Sequence, residues 1–147
     1  MNIGELFICS CCLEKLEEEG DCPVCGYEAG KNSYIQALEE GTLIGNGTYQ
    51  LGAVVRQGEE FFLYGAWELK GNRAVFVKEY FPERIAERSG DDVRVKKACM
   101  KEEFECGINL YGEPENDIRI DAGNKKLGYA HELVWENGTV YKVIVPF

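Results

Sequence analysis

The 147-residue chain is 45% apolar and 29% charged, which excludes a disordered polyelectrolyte and a fibrous repeat. Sixteen Lys and Arg against twenty-six Asp and Glu give a net charge of −10, which opposes general binding to nucleic acid or an anionic bilayer. Seven Cys and seventeen Gly favour one modest domain joined to a small module held by something other than a large apolar core. The start, MNIGELFICS, has no basic stretch leading into an apolar run, and the longest uncharged stretch, 41–55, is too short to span a bilayer. A cytoplasmic chain is expected, where clustered thiols hold metal more often than disulfides.

The first element is a pair of CxxC turns, Cys9-Ser-Cys-Cys12 and Cys22-Pro-Val-Cys25, the second followed by Gly26. Each turn brings two thiolates to one ion, and the glycine lets backbone amides approach the sulfurs without a clashing Cβ. Cys9, Cys12, Cys22 and Cys25 are thus expected to close a tetrahedral, structural zinc site with no position open to water. Cys11 competes with Cys12, but only Cys9 with Cys12 keeps the two-residue spacing. Through Gly30 there are seven acidic residues against Lys15 alone, so this ribbon lacks the charge for nucleic acid. A segment of this length buries little, and the metal is expected to supply most of its folding free energy.

Residues 31–40 read as a linker. Strand-like runs follow at 49–55, 61–69 and 73–79, separated by short turns that include Lys70-Gly71-Asn72. The spacing of Ala98, Met100, Phe104 and Ile108 predicts a helix over 96–110. Two further strands, 127–135 and 139–145, flank Asn137-Gly138, a two-residue hairpin signal. His131, the only histidine, lies in a strand pattern and reads as structural; Cys99 and Cys106 read as buried apolar side chains. The carboxylates of 113–121 lack the order and central glycine of a calcium loop.

In that order, the residues from Gly41 to Asp92 resemble the amino-terminal lobe of bacterial Ser/Thr protein kinases that carry an N-terminal zinc ribbon. Gly41-Thr-Leu and Gly47-Thr-Tyr49-Gln-Leu-Gly52 resemble the lead-in to the first kinase strand. Gln57-Gly58 and Tyr64-Gly-Ala-Trp67-Glu68 resemble the glycine-rich loop and second strand. Val77-Lys78-Glu79-Tyr80-Phe81-Pro82 with Arg88-Ser-Gly90-Asp91 resembles the third strand and its continuation, and Glu136-Asn-Gly-Thr-Val-Tyr141 the turn between the fourth and fifth. The resemblance implies an α+β fold: residues 1–30 a zinc ribbon, 31–40 a linker, and 41–147 a five-stranded antiparallel sheet with one helix.

It also implies a vestigial nucleotide site at Lys78 and Gly58. Arg56 and Phe61 stand where the loop pattern has its first and third glycines, and Glu59 and Glu60 would repel phosphates. Glu102, Glu103 or Glu105 would be the helix partner of Lys78. The chain closes at Val143-Ile-Val-Pro-Phe147, near where a kinase enters its hinge, with no catalytic loop of the HRD type and no metal site of the DFG type. The expectation is a non-catalytic, pseudokinase-like module that binds a protein partner or itself through the face a C-lobe would cover. The alternative is one half of a split kinase that binds nucleotide with a separately encoded C-lobe.

Overall fold

The computed structural model describes residues 1–4, 6–28, 34–112, 118–119 and 126–146. Three short strands, β1 (Asn2–Ile3), β2 (Leu6–Ile8) and β3 (Lys15–Leu16), form a small antiparallel sheet around the first CxxC turn. Next come β4 (Leu43–Ile44), β5 (Tyr49–Gln57), β6 (Phe61–Glu68) and β7 (Arg73–Tyr80). A separate hairpin, β8 (Ala86–Ser89) with β9 (Asp92–Val95), turns at Gly90. Helix α1 (Lys101–Tyr111) precedes β10 (Ile118–Arg119), β11 (Lys126–Glu136) and β12 (Thr139–Pro146).

The main sheet is antiparallel and curled, in the order β10-β11-β12-β7-β6-β5-β4. It holds the five expected strands, extended by two-residue edges at each side, so it is seven-stranded rather than five-stranded. The chain is mostly β with one short helix. That helix begins at Lys101, later than the apolar spacing predicts, because Lys97 is extended and Ala98–Met100 form a 3-10 turn. Lys96 donates its backbone N–H to Ile85, which keeps this stretch tied to the β8–β9 hairpin. Asn137 and Gly138 both take positive φ, 55° and 72°, as the Asn-Gly hairpin requires. The acidic stretch 113–121, read as a solvated loop, lies outside the described residues apart from 118–119.

Alternation along the strands decides the two faces of the sheet. On β7, Val75, Val77 and Glu79 enter the main core with Tyr49, Leu51, Phe62 and Tyr141, while Phe76 and Lys78 face the other way. Tyr34 and Leu38, ahead of the first long strand, cover this core: the Tyr34 ring meets Phe62 edge-on at 6.2 Å, and Leu38 is fully buried. A carboxylate on the core side is costly unless paired. Glu79 is wholly buried, and its oxygens accept from both Arg88 terminal nitrogens (2.5 and 3.0 Å), from Tyr64 Oη (3.0 Å) and from Tyr141 Oη (2.7 Å). Arg88 also donates from Nε to the Gln36 carbonyl at 2.9 Å, which clasps the preceding segment to the hairpin.

This network sets an alkaline limit. Burial, then the Glu79 charge, holds the Tyr64 and Tyr141 hydroxyls far above the ordinary tyrosine value of 10.0. A folded-state pKa above the unfolded one gives stability that is complete below the unfolded value and is lost as pH rises past it. The urea midpoint is therefore expected to stay level from about pH 7 to about pH 9 and to fall above about pH 10. A level midpoint at about pH 11 would show that these hydroxyls ionise as freely folded as unfolded.

Candidate functional site

The two CxxC turns converge. Cys9 Sγ lies 3.6 Å from Cys25 Sγ and Cys12 Sγ 3.7 Å from Cys22 Sγ, and all four sulfurs fall within 4.8 Å of one another. A tetrahedral zinc–thiolate centre with bonds of about 2.3 Å has sulfur–sulfur edges of about 3.8 Å, so the four side chains fit such an ion with little movement. Each turn aims backbone N–H groups at its first sulfur: Cys11 and Cys12 at Cys9 Sγ (3.4 and 3.5 Å), and Val24 at Cys22 Sγ (3.3 Å). The fourth residue on closes each turn, Leu13 N–H to Cys9 O and Gly26 N–H to Cys22 O, both at 3.0 Å.

A Cβ on Gly26 would meet nothing within 4 Å, so the residue answers to its positive φ of 78° rather than to the avoided clash expected from sequence, and at the matching place in the first turn Leu13 adopts φ 65°. A leucine there costs about 1 kcal/mol, offset by packing of its side chain over Gly65.

The thiols are unequal. Burial raises Cys9 above its ordinary value and pushes Cys12 up to about 12, whereas backbone amides, Cys25 first and then Val24, draw Cys22 down to about 7. A cation held among the sulfurs would favour their thiolate forms. Cys11 stands outside the group of four. All seven cysteines are unpaired, so no disulfide competes for this site. Cys99 and Cys106 are exposed rather than buried, because the 3-10 turn Ala98–Met100 buries none of its residues and α1 turns only Phe104 fully into the core.

The ribbon is seated on the sheet. Ala53 N–H donates to the Ser10 carbonyl at 2.7 Å, and a Cβ on Gly52 would stand 2.6 Å from that same oxygen. Ile3 and Ile8 close over Trp67 of β6. Glu40 accepts from Ser10 Oγ at 2.9 Å and from Tyr27 Oη. Neither Gly52 nor Gly65 could be recognised as a docking position from sequence, since their partners Ser10 and Leu13 lie more than forty residues away along the chain.

The second candidate site, Lys78 and Gly58, lies on the opposite side of the sheet from Glu79. The β5–β6 turn is tight, with Gly58 N–H bonded to the Phe61 carbonyl at 2.9 Å, and a Cβ on Gly58 would overlap the Phe61 ring. Lys78 Nζ sits 4.5 Å from the centre of that ring and 5.1 Å from that of Tyr111. Lys142, the cross-strand neighbour of Lys78, places its Nζ 5.5 Å from the same Tyr111 ring and is itself buried. Of the candidate helix partners, Glu103 pairs with Arg84 and Glu105 lies 3.9 Å from Lys101. Sequence reasoning missed Tyr111 and Lys142, whose roles depend on strand register and on where α1 ends. His131 Nε2 lies 3.6 Å from Glu68, which also holds Arg73 at 3.0 Å.

No protein-family profile matches the chain, and no curated protein matches it in sequence. Among solved structures, the apo form of PpkA-294 superposes with a TM-score of 0.59 at 18% identity, covering 74% of this chain. PpkA is a bacterial Ser/Thr kinase, and this chain spans 38% of its length in that structure. At that identity the likeness is one of fold: a kinase-like sheet domain, here carrying four convergent cysteines.

Proposed function

We propose that this chain is a zinc-binding, pseudokinase-like module that regulates or scaffolds by binding another protein and does not itself transfer phosphate. The sheet domain stands in for a kinase N-lobe, and the ribbon at 1–30 is a structural attachment joined through 31–40. The observation that carries the reading is the aromatic cover of Lys78. The lysine that a kinase presents to nucleotide phosphates lies between the Phe61 and Tyr111 rings, and the Phe61 ring also fills the space against Gly58. Phosphate entry there requires moving two packed rings and passing Glu59 and Glu60, which are exposed at the turn. The free thiols support a reducing compartment, and no described helix is long and apolar enough to cross a membrane.

In this reading Cys9, Cys12, Cys22 and Cys25 hold the ion, which supplies cross-linking of the ribbon and no chemistry at a substrate. The test is a melting curve with magnesium and ATP. A site occupied at tenfold above its Kd contributes about 1.4 kcal/mol, worth about 4 °C or more in a domain of this size. The expected shift at millimolar nucleotide is under about 1 °C. A rise that grows with ATP concentration and disappears in Lys78→Met would replace this reading with the nucleotide-binding half of a split kinase.

A further inference from the structure

A cavity of about 840 Å³ opens between the β5–β6 turn, the segment after β7 and helix α1. Its volume suits a group of several side chains and is far too large for a single ion. Its floor is packed: Ile85 and Tyr80 are buried, and the Tyr80 ring packs on Phe104 at 5.5 Å and on Tyr111 at 5.0 Å. From α1, Glu103, Gly107 and Leu110 line one wall at helical spacing, and Leu110 is 67% exposed. Gly107 is required there, since a Cβ on it would overlap the Tyr80 hydroxyl.

Two independent features point to what fills this groove. The first is charge. Glu59, Glu60, Glu83 and Glu103 line it against Arg84 and Lys96, and Arg84 is already engaged by Glu103. Glu83 accepts from Gln57 Nε2 at 3.1 Å, whereas the Glu59 and Glu60 side chains make no hydrogen bond or ion pair among the described residues. The second is the Tyr80 hydroxyl. Tyr80 is 3% exposed, lines the cavity, and its hydroxyl has no hydrogen-bond partner among the described residues. Burial, with Glu60 and Glu103 adding to it, pushes its pKa up to about 12, so at neutral pH it remains a proton donor.

We propose that this groove is the docking site for a cationic, amphipathic peptide segment of a partner protein, with apolar side chains on Ile85 and Leu110 and Lys or Arg side chains against Glu59, Glu60 and Glu83. The Tyr80 hydroxyl donates to a carbonyl of the bound segment. This assignment rests on the protein-interaction reading above and names the surface and the partner chemistry for it.

The test uses the full chain, isotope-labelled, titrated with three synthetic hexapeptides that alternate leucine with arginine, leucine with glutamate, and serine with arginine. The leucine–arginine peptide is expected to shift the amides of Tyr80, Ile85, Gly107 and Leu110, and to bind about tenfold or more tighter than either control. Glu60→Lys with Glu83→Lys is expected to weaken it by about tenfold or more, and Tyr80→Phe to weaken it without lowering the melting temperature. If the double charge reversal melts early, Glu59→Lys alone provides the same comparison. Shifts that map elsewhere, equal binding of the leucine–glutamate peptide, or no binding of the leucine–arginine peptide at millimolar concentration overturns the assignment. The nucleotide melting curve reads the Lys78 face separately, so the non-catalytic reading stands or falls independently of the groove.

Discussion

Arg88→Ala is expected to lower the unfolding free energy by about 3–5 kcal/mol, a large share of what a domain of this size has. The Glu79 carboxylate has no route to water, and the Arg88 guanidinium that neutralises it is itself 9% exposed. Removing the cation leaves a buried charge supported only by the Tyr64 and Tyr141 hydroxyls. It also frees the Gln36 backbone that Arg88 holds, loosening the cover over Tyr64, whose hydroxyl accepts from Leu38 N–H at 3.0 Å. Urea denaturation of Arg88→Ala, Glu79→Ala and the double variant gives the coupling. Because each single change orphans the partner, the double variant is expected to cost clearly less than the sum of the two. Additive costs would mean that the two groups do not share one buried interaction.

Removing the metal is expected to have an effect of comparable or greater size. Metal analysis of protein purified without added metal is expected to find about one zinc per chain, and far less than one would end the zinc reading. Structural zinc in small thiolate modules is worth about 10–16 kcal/mol in apparent binding free energy, and the other holds on this ribbon are a small apolar patch and a few hydrogen bonds to the sheet. Its buried apolar side chains are Ile3 and Ile8, with Met1, Leu6 and Leu13 partly buried around them, and the patch closes on Trp67 of the sheet. Trp67 is 5% exposed while Trp135 is 58% exposed, so chelation has an optical signature. Emission is expected to shift to the red as Trp67 enters water, together with a lower melting temperature. Cys25→Ser is expected to reproduce both changes.

Gly52→Ala separates docking from metal binding. Its added Cβ meets the Ser10 carbonyl at 2.6 Å and the Gly65 carbonyl at 3.1 Å, so the ribbon must lift while its thiols stay convergent. The metal content is expected to persist while stability drops by about 1–3 kcal/mol. An unchanged Trp67 emission after chelation would show that the ribbon's seat on β6 does not depend on the ion.

The parts that were legible in sequence are those whose physics is local. Two residues between cysteines are enough to make a chelating turn, and both turns form as the spacing implies, even where Leu13 takes the place of a glycine. Runs of β-branched and aromatic residues make β5, β6 and β7, and Asn137-Gly138 makes the last hairpin. The start of α1 was misplaced because a 3.6-residue apolar spacing at Ala98 and Met100 says nothing of the β8–β9 hairpin, whose bond from Lys96 to Ile85 keeps the chain extended.

Sequence by itself determined the four-thiol constellation, the order of the long strands and the acidic balance, because each follows from neighbours in the chain or from a sum over it. Tertiary structure alone decided which side of β7 carries Glu79 and which carries Lys78, and what each meets there. Strand register sets Lys142 beside Lys78, and the end of α1 brings Tyr111 over both. The network that ties Glu79 and Arg88 to Gln36 and Tyr141, the glycine seat for the ribbon and the groove at Tyr80 likewise join residues distant in the chain. Their energies depend on burial and close approach, which exist only once the sheet has folded.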